Sequence, residues 1–268
     1  MANTVYPNKV IEAKAKDILT TQINARSMMT IDTSLTQDAG MTKTITTYTY
    51  NGTAEEVAAG SGNSTRGSIT YVANDYTVKM VQQPFDYLDE DFMKDPVIVD
   101  FGINGATSVM TNKMTSDFYS ALATKSGATE LVKGITFAKG KALSYDVIVD
   151  AISELNLEDE SKVFIVIPNV WKASLRKDPD YKSALMGEVI YNGQVGTVCG
   201  IPVIATKALT DKAYVMTNEA VTLFLKKDVE VEQERDADKR KNSVYLRSCY
   251  VCALRDATKA CKITEAAS

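Results

Sequence analysis

The longest periodic run of apolar residues lies between positions 97 and 123. Its apolar side chains recur at steps of three and four, which places them on one stripe of an α-helix. Pro96 precedes the run, where proline is tolerated, and Gly127 is a suitable stop. The pattern therefore predicts one long helix with a buried stripe, formed by Ile103, Ala106, Met110, Met114, Phe118 and Leu122.

A second pattern, rich in Thr and Tyr, covers residues 41–80 and is typical of β-strands. Its halves, MTKTITTYTY and GSITYVANDYTVKM, flank NGTAEEVAAGSGNSTR, whose Gly, Ser and Asn residues indicate a turn or a mobile tip. Few large aliphatic residues are present, and an isolated hairpin is marginally stable in water. We therefore expect a long two-stranded arm supported by another subunit, with interface side chains Ile45, Tyr48, Tyr50, Tyr71, Val72, Tyr76 and Val78.

An α/β section follows. Ser144 is placed to cap a helix with an apolar face from Val147 to Leu155, and the branched run 163–167 predicts a buried strand. Pro168 is predicted to open a short helix whose inner side carries Val170, Trp171 and Leu175. The charged run 227–242 is predicted to form a solvated strand edge and a turn. Further strands are predicted at 189–191, 195–199, 202–206, 213–217, 221–226, 244–254 and 260–263.

The first 38 residues are mixed and polar, with only a thin apolar face around positions 10–19. This composition predicts an arm that becomes ordered on a partner surface.

Composition excludes several classes of protein. With 268 residues, 45% of them hydrophobic and 24% charged, the chain has ordinary globular composition. A net charge of −4 gives no reason to expect a dedicated nucleic-acid surface. No run of 18 apolar residues predicts a membrane span, and the N-terminus lacks the apolar segment of a signal peptide.

Histidine is absent, which removes the usual general base, the Ser-His and Cys-His nucleophile pairs and histidine metal ligands. Cys249 and Cys252 have C-x-x-C spacing, but they lie in the alternating run SVYLRSCYVCAL. Residues three apart on a strand point to opposite faces, so neither a zinc site nor a disulfide is expected. We expect no catalytic residue, no metal site and no cofactor.

An enzyme that uses paired carboxylates is the alternative from another class. Glu154, Glu158, Asp159 and Glu160 cluster in sequence, but they fall at a predicted helix end and loop. A solvated turn is the favoured interpretation of this cluster.

Three glycines in the stretch NGQVGTVCGIPVIAT raise the question of a phosphate-binding loop. The spacing of Gly193, Gly196 and Gly200 matches neither G-x-G-x-x-G nor G-x-x-x-x-G-K-[ST]. Such loops also precede a helix, whereas here the chain continues into the β-prone run IPVI. The stretch therefore predicts two short strands joined by tight glycine turns.

The order of these elements resembles that of a known family. The segment VGTVCGIPV, residues 195–203, follows IVIPNVW, residues 165–171, and upstream lie a long helix, a β-prone arm and a polar N-terminus. This arrangement is similar to that of the major capsid proteins of tailed bacteriophages, the Hong Kong 97-like family. The resemblance covers nearly the whole chain in element order, and its short motifs are moderately specific.

The resemblance implies an α+β fold with five parts. They are an N-terminal arm at 1–38, an extended β-hairpin called the E-loop at 39–82, a peripheral domain with a long spine helix at 83–135, an axial domain at 136–225, and C-terminal strands at 226–268 that complete the peripheral domain. The spine helix is expected at 97–125, with Ile103, Met110, Met114, Phe118 and Leu122 as its core.

The family's function implies a shell protein. The chain would self-assemble, as pentamers and hexamers, into the icosahedral capsid around the double-stranded DNA of a phage, in the cytoplasm of a host bacterium. Some family members carry a long N-terminal scaffolding segment that is later cleaved, whereas only about 40 residues precede the arm here, so either a separate scaffolding protein exists or this is a processed form. The start at Met1 favours the separate scaffolding protein, and a portal is expected as a further partner. Contact with DNA would be weak and non-specific, through Lys239, Arg240 and Lys241, with no membrane partner. The alternative is an encapsulin-like compartment shell, which shares the fold.

Overall fold

The computed structural model describes residues 11, 13, 15, 25–37, 40–126, 129–180 and 196–266. The predicted strand at 189–191, Gly193, and most of the proposed N-terminal arm lie outside the described residues.

The described elements form two sheets, a separate hairpin and a short ribbon. The strands are β1 (Thr30–Asp32), β2 (Thr42–Asn51), β3 (Ser68–Thr77), β4 (Lys79–Leu88), β5 (Lys125–Ser126), β6 (Thr129–Glu130), β7 (Lys133–Phe137), β8 (Val163–Pro168), β9 (Thr197–Val198), β10 (Ile201–Thr206), β11 (Lys212–Thr217), β12 (Val221–Asp236), β13 (Lys241–Leu254) and β14 (Ala260–Glu265). The helices are α1 (Asp89–Lys94), α2 (Ile98–Leu122), α3 (Tyr145–Leu155) and α4 (Lys172–Lys177), with short 3-10 turns at Ala25–Met28, Ser34–Thr36 and Ala257–Lys259.

The four-stranded sheet has the order β1-β12-β13-β4 and is built around the long antiparallel pair β12–β13. Helix α2 covers one face, where its apolar stripe packs on alternate side chains of β12 and β13 such as Val231, Val244 and Leu246. The opposite face holds a smaller cluster that includes Leu35, Val78 and Phe224. The sheet is therefore apolar on both faces, and each face has a different cover.

The six-stranded sheet has the order β7-β14-β11-β8-β10-β9. Its central strands β8 and β11 are buried along almost their whole length, which matches their branched composition. Helix α3 packs against one face through Ile148, Ala151 and Ile152. The other face joins the C-terminal half of α2 in one cluster, where Phe118 and Tyr119 lie near Tyr214 and Met216. The two sheets thus share a continuous core.

The sequence located most elements within a few residues. The long helix, the strand from Val163, the helix that follows Ser144 and the C-terminal strands all form close to the predicted positions. The side chain of Ser144 makes no capping hydrogen bond, and the Tyr145 amide donates to Asp178 instead. The glycine stretch also forms as predicted in its described part, because Val198 pairs with Ile201 across a two-residue turn. Cys199 and Gly200 occupy that turn with φ of 52° and 80°, the left-handed values of a tight hairpin turn.

One prediction was wrong, and a second was right only in part. Pro168 ends β8 and helix α4 begins at Lys172, so Val170 lies before the helix and is 72% exposed instead of facing inward. The charged run forms the predicted strand and turn, since β12 extends to Asp236 and β13 begins at Lys241, but the strand is half-buried and not solvated throughout. Within it Val229 and Val231 are buried and alternate with acidic side chains, the period of two that a half-buried strand requires.

The sequence pattern does not predict strand β4. Pro84 lies in its middle, which argues against a central strand. The structure resolves this, because β4 is the edge strand of its sheet and an edge tolerates a residue that has no N–H donor.

Candidate subunit interface

Among the residues that the structure describes, the β2–β3 hairpin is anchored at its base. There Ile45 and Tyr76 pack against the cluster on the outer face of the four-stranded sheet, and the Tyr76 hydroxyl donates to the Leu254 carbonyl at 3.2 Å. Lys43 donates to Ser34 at 3.1 Å and its ammonium lies 5.7 Å from the centre of the Phe224 ring. The hairpin therefore starts from a fixed position on the sheet.

Beyond the base the hairpin carries an exposed aromatic stripe. Tyr48 pairs with Tyr71 and Tyr50 pairs with Ile69 across the two strands, so all four side chains share one face. Each of the four is about 70% exposed. Val72 lies on the other face, opposite Thr47, and is 60% exposed. Such a concentration of large apolar side chains on a surface is typical of a protein contact.

The seven predicted interface residues thus divide into two groups. Ile45, Tyr76 and Val78 belong to the core cluster beneath the hairpin, and Val78 is only 3% exposed. Tyr48, Tyr50, Tyr71 and Val72 project from the free part of the hairpin. Ile69 was missed, although its alternation with Tyr71 on the same strand could have identified it.

The hairpin tip, residues 52–67, is also organised by its own side chains. The Glu55 carboxylate accepts hydrogen bonds from the Ser64 amide, from the Ser64 hydroxyl at 2.6 Å and from the Thr65 hydroxyl at 3.1 Å. These hydrogen bonds, chiefly those from Ser64, hold the pKa of the Glu55 carboxyl below its usual range. Glu55 thus joins the two sides of the tip, the segment that was predicted to be a turn or a mobile tip.

A second exposed apolar surface was not found from the sequence. Met93, Val97 and Phe101 are 74%, 62% and 78% exposed, and they lie on α1 and at the start of α2. The signal was available, since Val97 and Phe101 are four residues apart on the side of the helix away from its buried stripe. This surface and the hairpin base lie on opposite faces of the four-stranded sheet.

The five residues predicted as the core of the long helix are all buried. Phe118 and Leu122 have no measurable exposure, and Ile103, Met110 and Met114 are exposed by at most 5%. They contribute to two clusters, one with the four-stranded sheet and one shared by both sheets.

The cysteines show no arrangement for metal or redox chemistry. Cys249 faces the cluster under the hairpin, whereas Cys252 packs at the edge of the cluster on the other face of the sheet. Burial and the nearby Asp117 carboxylate raise the pKa of Cys252 to about 12, and burial raises that of Cys261 to about 11. All four thiols are free, and the described residues contain no group of His, Cys, Asp and Glu side chains that could hold a metal ion.

The three basic residues proposed for DNA contact all make ion pairs near the turn between β12 and β13. The ammonium of Lys239 lies 3.7 Å from Asp236, and that of Lys241 lies 2.6 Å from Asp86. The guanidinium of Arg240 lies 3.0 Å from Glu90. Much of their charge is therefore balanced within the chain.

The acidic residues Glu154 to Glu160 do not converge on a site. Glu154 is paired with Lys133 at 3.1 Å, and Asp159 accepts the Ser161 amide of its own turn. In the part of the chain that the structure describes, no helix has both the length and the apolar content to span a bilayer.

Comparisons with known proteins agree with this geometry. No protein-family model matches the chain. The major capsid protein of Staphylococcus phage phiMR11 is 25% identical over 273 residues, which cover 98% of this chain and 94% of that protein. The capsid structure of cyanophage P-SCSP1u superposes with a TM-score of 0.66 at 13% identity, covering 90% of this chain and 87% of that chain.

The chain is thus similar in sequence to a phage major capsid protein and has the mixed α/β fold of solved phage capsid structures. A virus-like particle protein from Pyrococcus furiosus has the same fold, with a TM-score of 0.62 at 10% identity over 97% of this chain and all of that chain. The capsid relatives are structural proteins and not enzymes.

Proposed function

We propose that this chain is the major capsid protein of a tailed phage and assembles into the icosahedral shell around its double-stranded DNA. The observation that carries this proposal is the match to a phage major capsid protein along 98% of the chain. The exposed aromatic stripe on a hairpin that is anchored only at its base supports it, because those side chains require a partner surface.

Five parts of the chain have proposed roles. The hairpin, within 39–82, is the E-loop and lies over an adjacent subunit, and α2, within 83–135, is the spine helix of the peripheral domain. The six-stranded sheet, mostly within 136–225, is the axial domain around the five-fold and six-fold axes. Of the C-terminal part 226–268, strands β12 and β13 complete the peripheral domain, whereas β14 belongs to the six-stranded sheet and so to the axial domain. Residues 1–38 form the N-terminal arm.

The length of the hairpin supports an arm between subunits. Each strand has ten residues, which at about 3.3 Å per residue gives roughly 33 Å. In the described part of the chain, the base of the hairpin is what packs on the sheet, so most of this length is available to a neighbour.

The proposed partners are other copies of the chain in pentamers and hexamers, a separate scaffolding protein, a portal, and DNA by weak non-specific contact. Lys239, Arg240 and Lys241 each form an ion pair within the chain. Such a cation neutralises DNA phosphate less fully and displaces fewer counterions, which supports weak contact with DNA. The proposed location is the virion, after assembly in the bacterial cytoplasm.

An encapsulin-like compartment shell is the second candidate, supported by the fold shared with the Pyrococcus furiosus virus-like particle. The contents of particles isolated from producing cells distinguish the two. A phage capsid purified with its packaging partners contains DNA, whereas a compartment shell contains a cargo protein.

A further inference from the structure

The tip of the hairpin is held in one shape by two separate devices. Glu55 links its own side of the tip to Ser64 and Thr65 on the returning side. The ring of Tyr50 lies over Gly52 and Gly67, where the two strands end. A Cβ on Gly52 would lie 2.6 Å from the Tyr50 hydroxyl oxygen, and one on Gly67 would also collide with the ring, so the ring can occupy this place only because both residues are glycine.

This ordering does not serve the chain's own core. Residues 52–66 are exposed, apart from the half-buried Glu55, and the tip lies at the far end of strands whose base alone packs on the sheet. The tip, residues 52–67, contains four Gly residues and would otherwise sample many conformations, so fixing it costs conformational entropy. Because the ordered tip is remote from the core, we infer that its order serves contact with another molecule.

We propose that Glu55 is a positioning residue that presents the hairpin tip, already in its docking shape, to a neighbouring copy of this chain. The proposal rests on the proposed shell function and adds to it the device that orients the tip. Because the loop is ordered before contact, less entropy is lost when subunits associate, and association is stronger. Ser64 and Thr65 supply the donors, and Tyr50 on its two glycines aligns the strand ends that lead into the loop.

The experiment compares Glu55→Ala with Glu56→Ala in the full-length chain. Glu56 is the adjacent exposed carboxylate. Its variant therefore has the same change in charge, at a residue that does not bond to Ser64 or Thr65. Two quantities are measured: the hydrogen-exchange rates of the Ser64 and Thr65 amides in unassembled subunits, and the subunit concentration at which half of the protein sediments as shells. Thermal unfolding of the subunits serves as the folding control.

We expect Glu55→Ala to speed exchange at Ser64 and Thr65 and to raise the half-assembly concentration about fivefold or more, since several side chains must then be ordered on association. Glu56→Ala should change neither quantity by as much as twofold. Adding Ser64→Ala to Glu55→Ala should have little further effect, because both remove the same contact.

Two results would contradict the role of Glu55, and a third would contradict the shell function as well. If Glu55→Ala opens the tip but assembles at the wild-type concentration, or if exchange at the two amides is unchanged, Glu55 has no positioning role and the shell function still stands. A wild-type chain that forms no shells at any concentration refutes the proposed function itself, and with it the role of the tip.

Discussion

Tyr48 lies directly across the hairpin from Tyr71, with ring centroids 6.4 Å apart and ring planes inclined by 43°. Cross-strand aromatic pairs of this kind stabilise a two-stranded ribbon. Both rings are 70% exposed, so the pair also presents apolar surface to solvent. The same two residues therefore support the hairpin and form the centre of its proposed contact.

Replacing both tyrosines, Tyr48→Ser with Tyr71→Ser, should abolish or strongly weaken assembly while the subunit stays folded. The pair is remote from the core clusters, so thermal unfolding should change little. Sedimentation measures assembly, and circular dichroism measures folding.

The control is Val72→Ser, on the opposite face of the same strand. Normal shells from the double tyrosine variant would show that the stripe makes no subunit contact. A defect in Val72→Ser of equal size would show that both faces of the hairpin are covered in the shell.

The long helix should not tolerate a charge at Phe118. This side chain has no exposure and contacts the core shared by both sheets, so Phe118→Asp buries an unpaired carboxylate at a cost of several kcal/mol. Phe118→Ala should cost about 3–5 kcal/mol in the free energy of unfolding through the cavity it leaves. Solubility and denaturant unfolding measure both effects.

Ser116→Asp is the matched control, because residue 116 is exposed on the same helix. It should fold and assemble. A soluble, assembling Phe118→Asp protein would mean that the wrong face of the helix has been placed in the core.

The cysteines should differ sharply in their reaction with iodoacetamide. Cys199 is exposed in its turn, whereas Cys249 and Cys261 are buried and the raised pKa of Cys252 keeps its thiol protonated. At pH 8 folded subunits should lose one thiol per chain quickly, and denatured chains should lose four. Mass spectrometry identifies the modified residue.

Elemental analysis of the same protein should find no stoichiometric zinc, because Cys249 and Cys252 face opposite sides of the sheet. Cys249→Ala with Cys252→Ala should still assemble, at a packing cost of about 1 kcal/mol each. One zinc per chain, lost together with assembly in the double variant, would contradict this account of the strand.

Asp89 should make the subunit sensitive to acid. Its side chain, 10% exposed, accepts from Arg235 at 2.8 Å and from Asn242 at 2.6 Å, and these hydrogen bonds lower the pKa of the carboxyl. A lowered folded-state pKa stabilises the fold fully above the unfolded value of about 3.9, and this contribution is lost as the pH falls through the folded value.

Asp89→Asn should therefore lower the melting temperature of unassembled subunits at pH 7, and the difference from wild type should shrink below about pH 4. Asp238→Asn, at an exposed residue of the adjacent turn, is the control and should show no such dependence. A difference for Asp89→Asn that stays constant from pH 7 to pH 3 would exclude an ionised Asp89 as its cause.

Periodicity in the sequence was enough to place the long helix, because its stripe follows the three-and-four spacing over the length of α2. It failed at β4, where Pro84 is acceptable only because the strand forms an edge, a fact of tertiary structure. The hairpin followed from composition, but which of its residues are free depends on how its base packs. Glu55 could not be assigned at all, since its partners lie nine and ten residues away in a stretch without periodicity.

Electron microscopy of the purified full-length protein tests the shell function most directly. We expect closed icosahedral particles in which the hairpin of each subunit, with Tyr48 and Tyr71, lies against a neighbouring copy. A protein that remains a single 29.3 kDa chain at every concentration, with the hairpin free in solution, would contradict it.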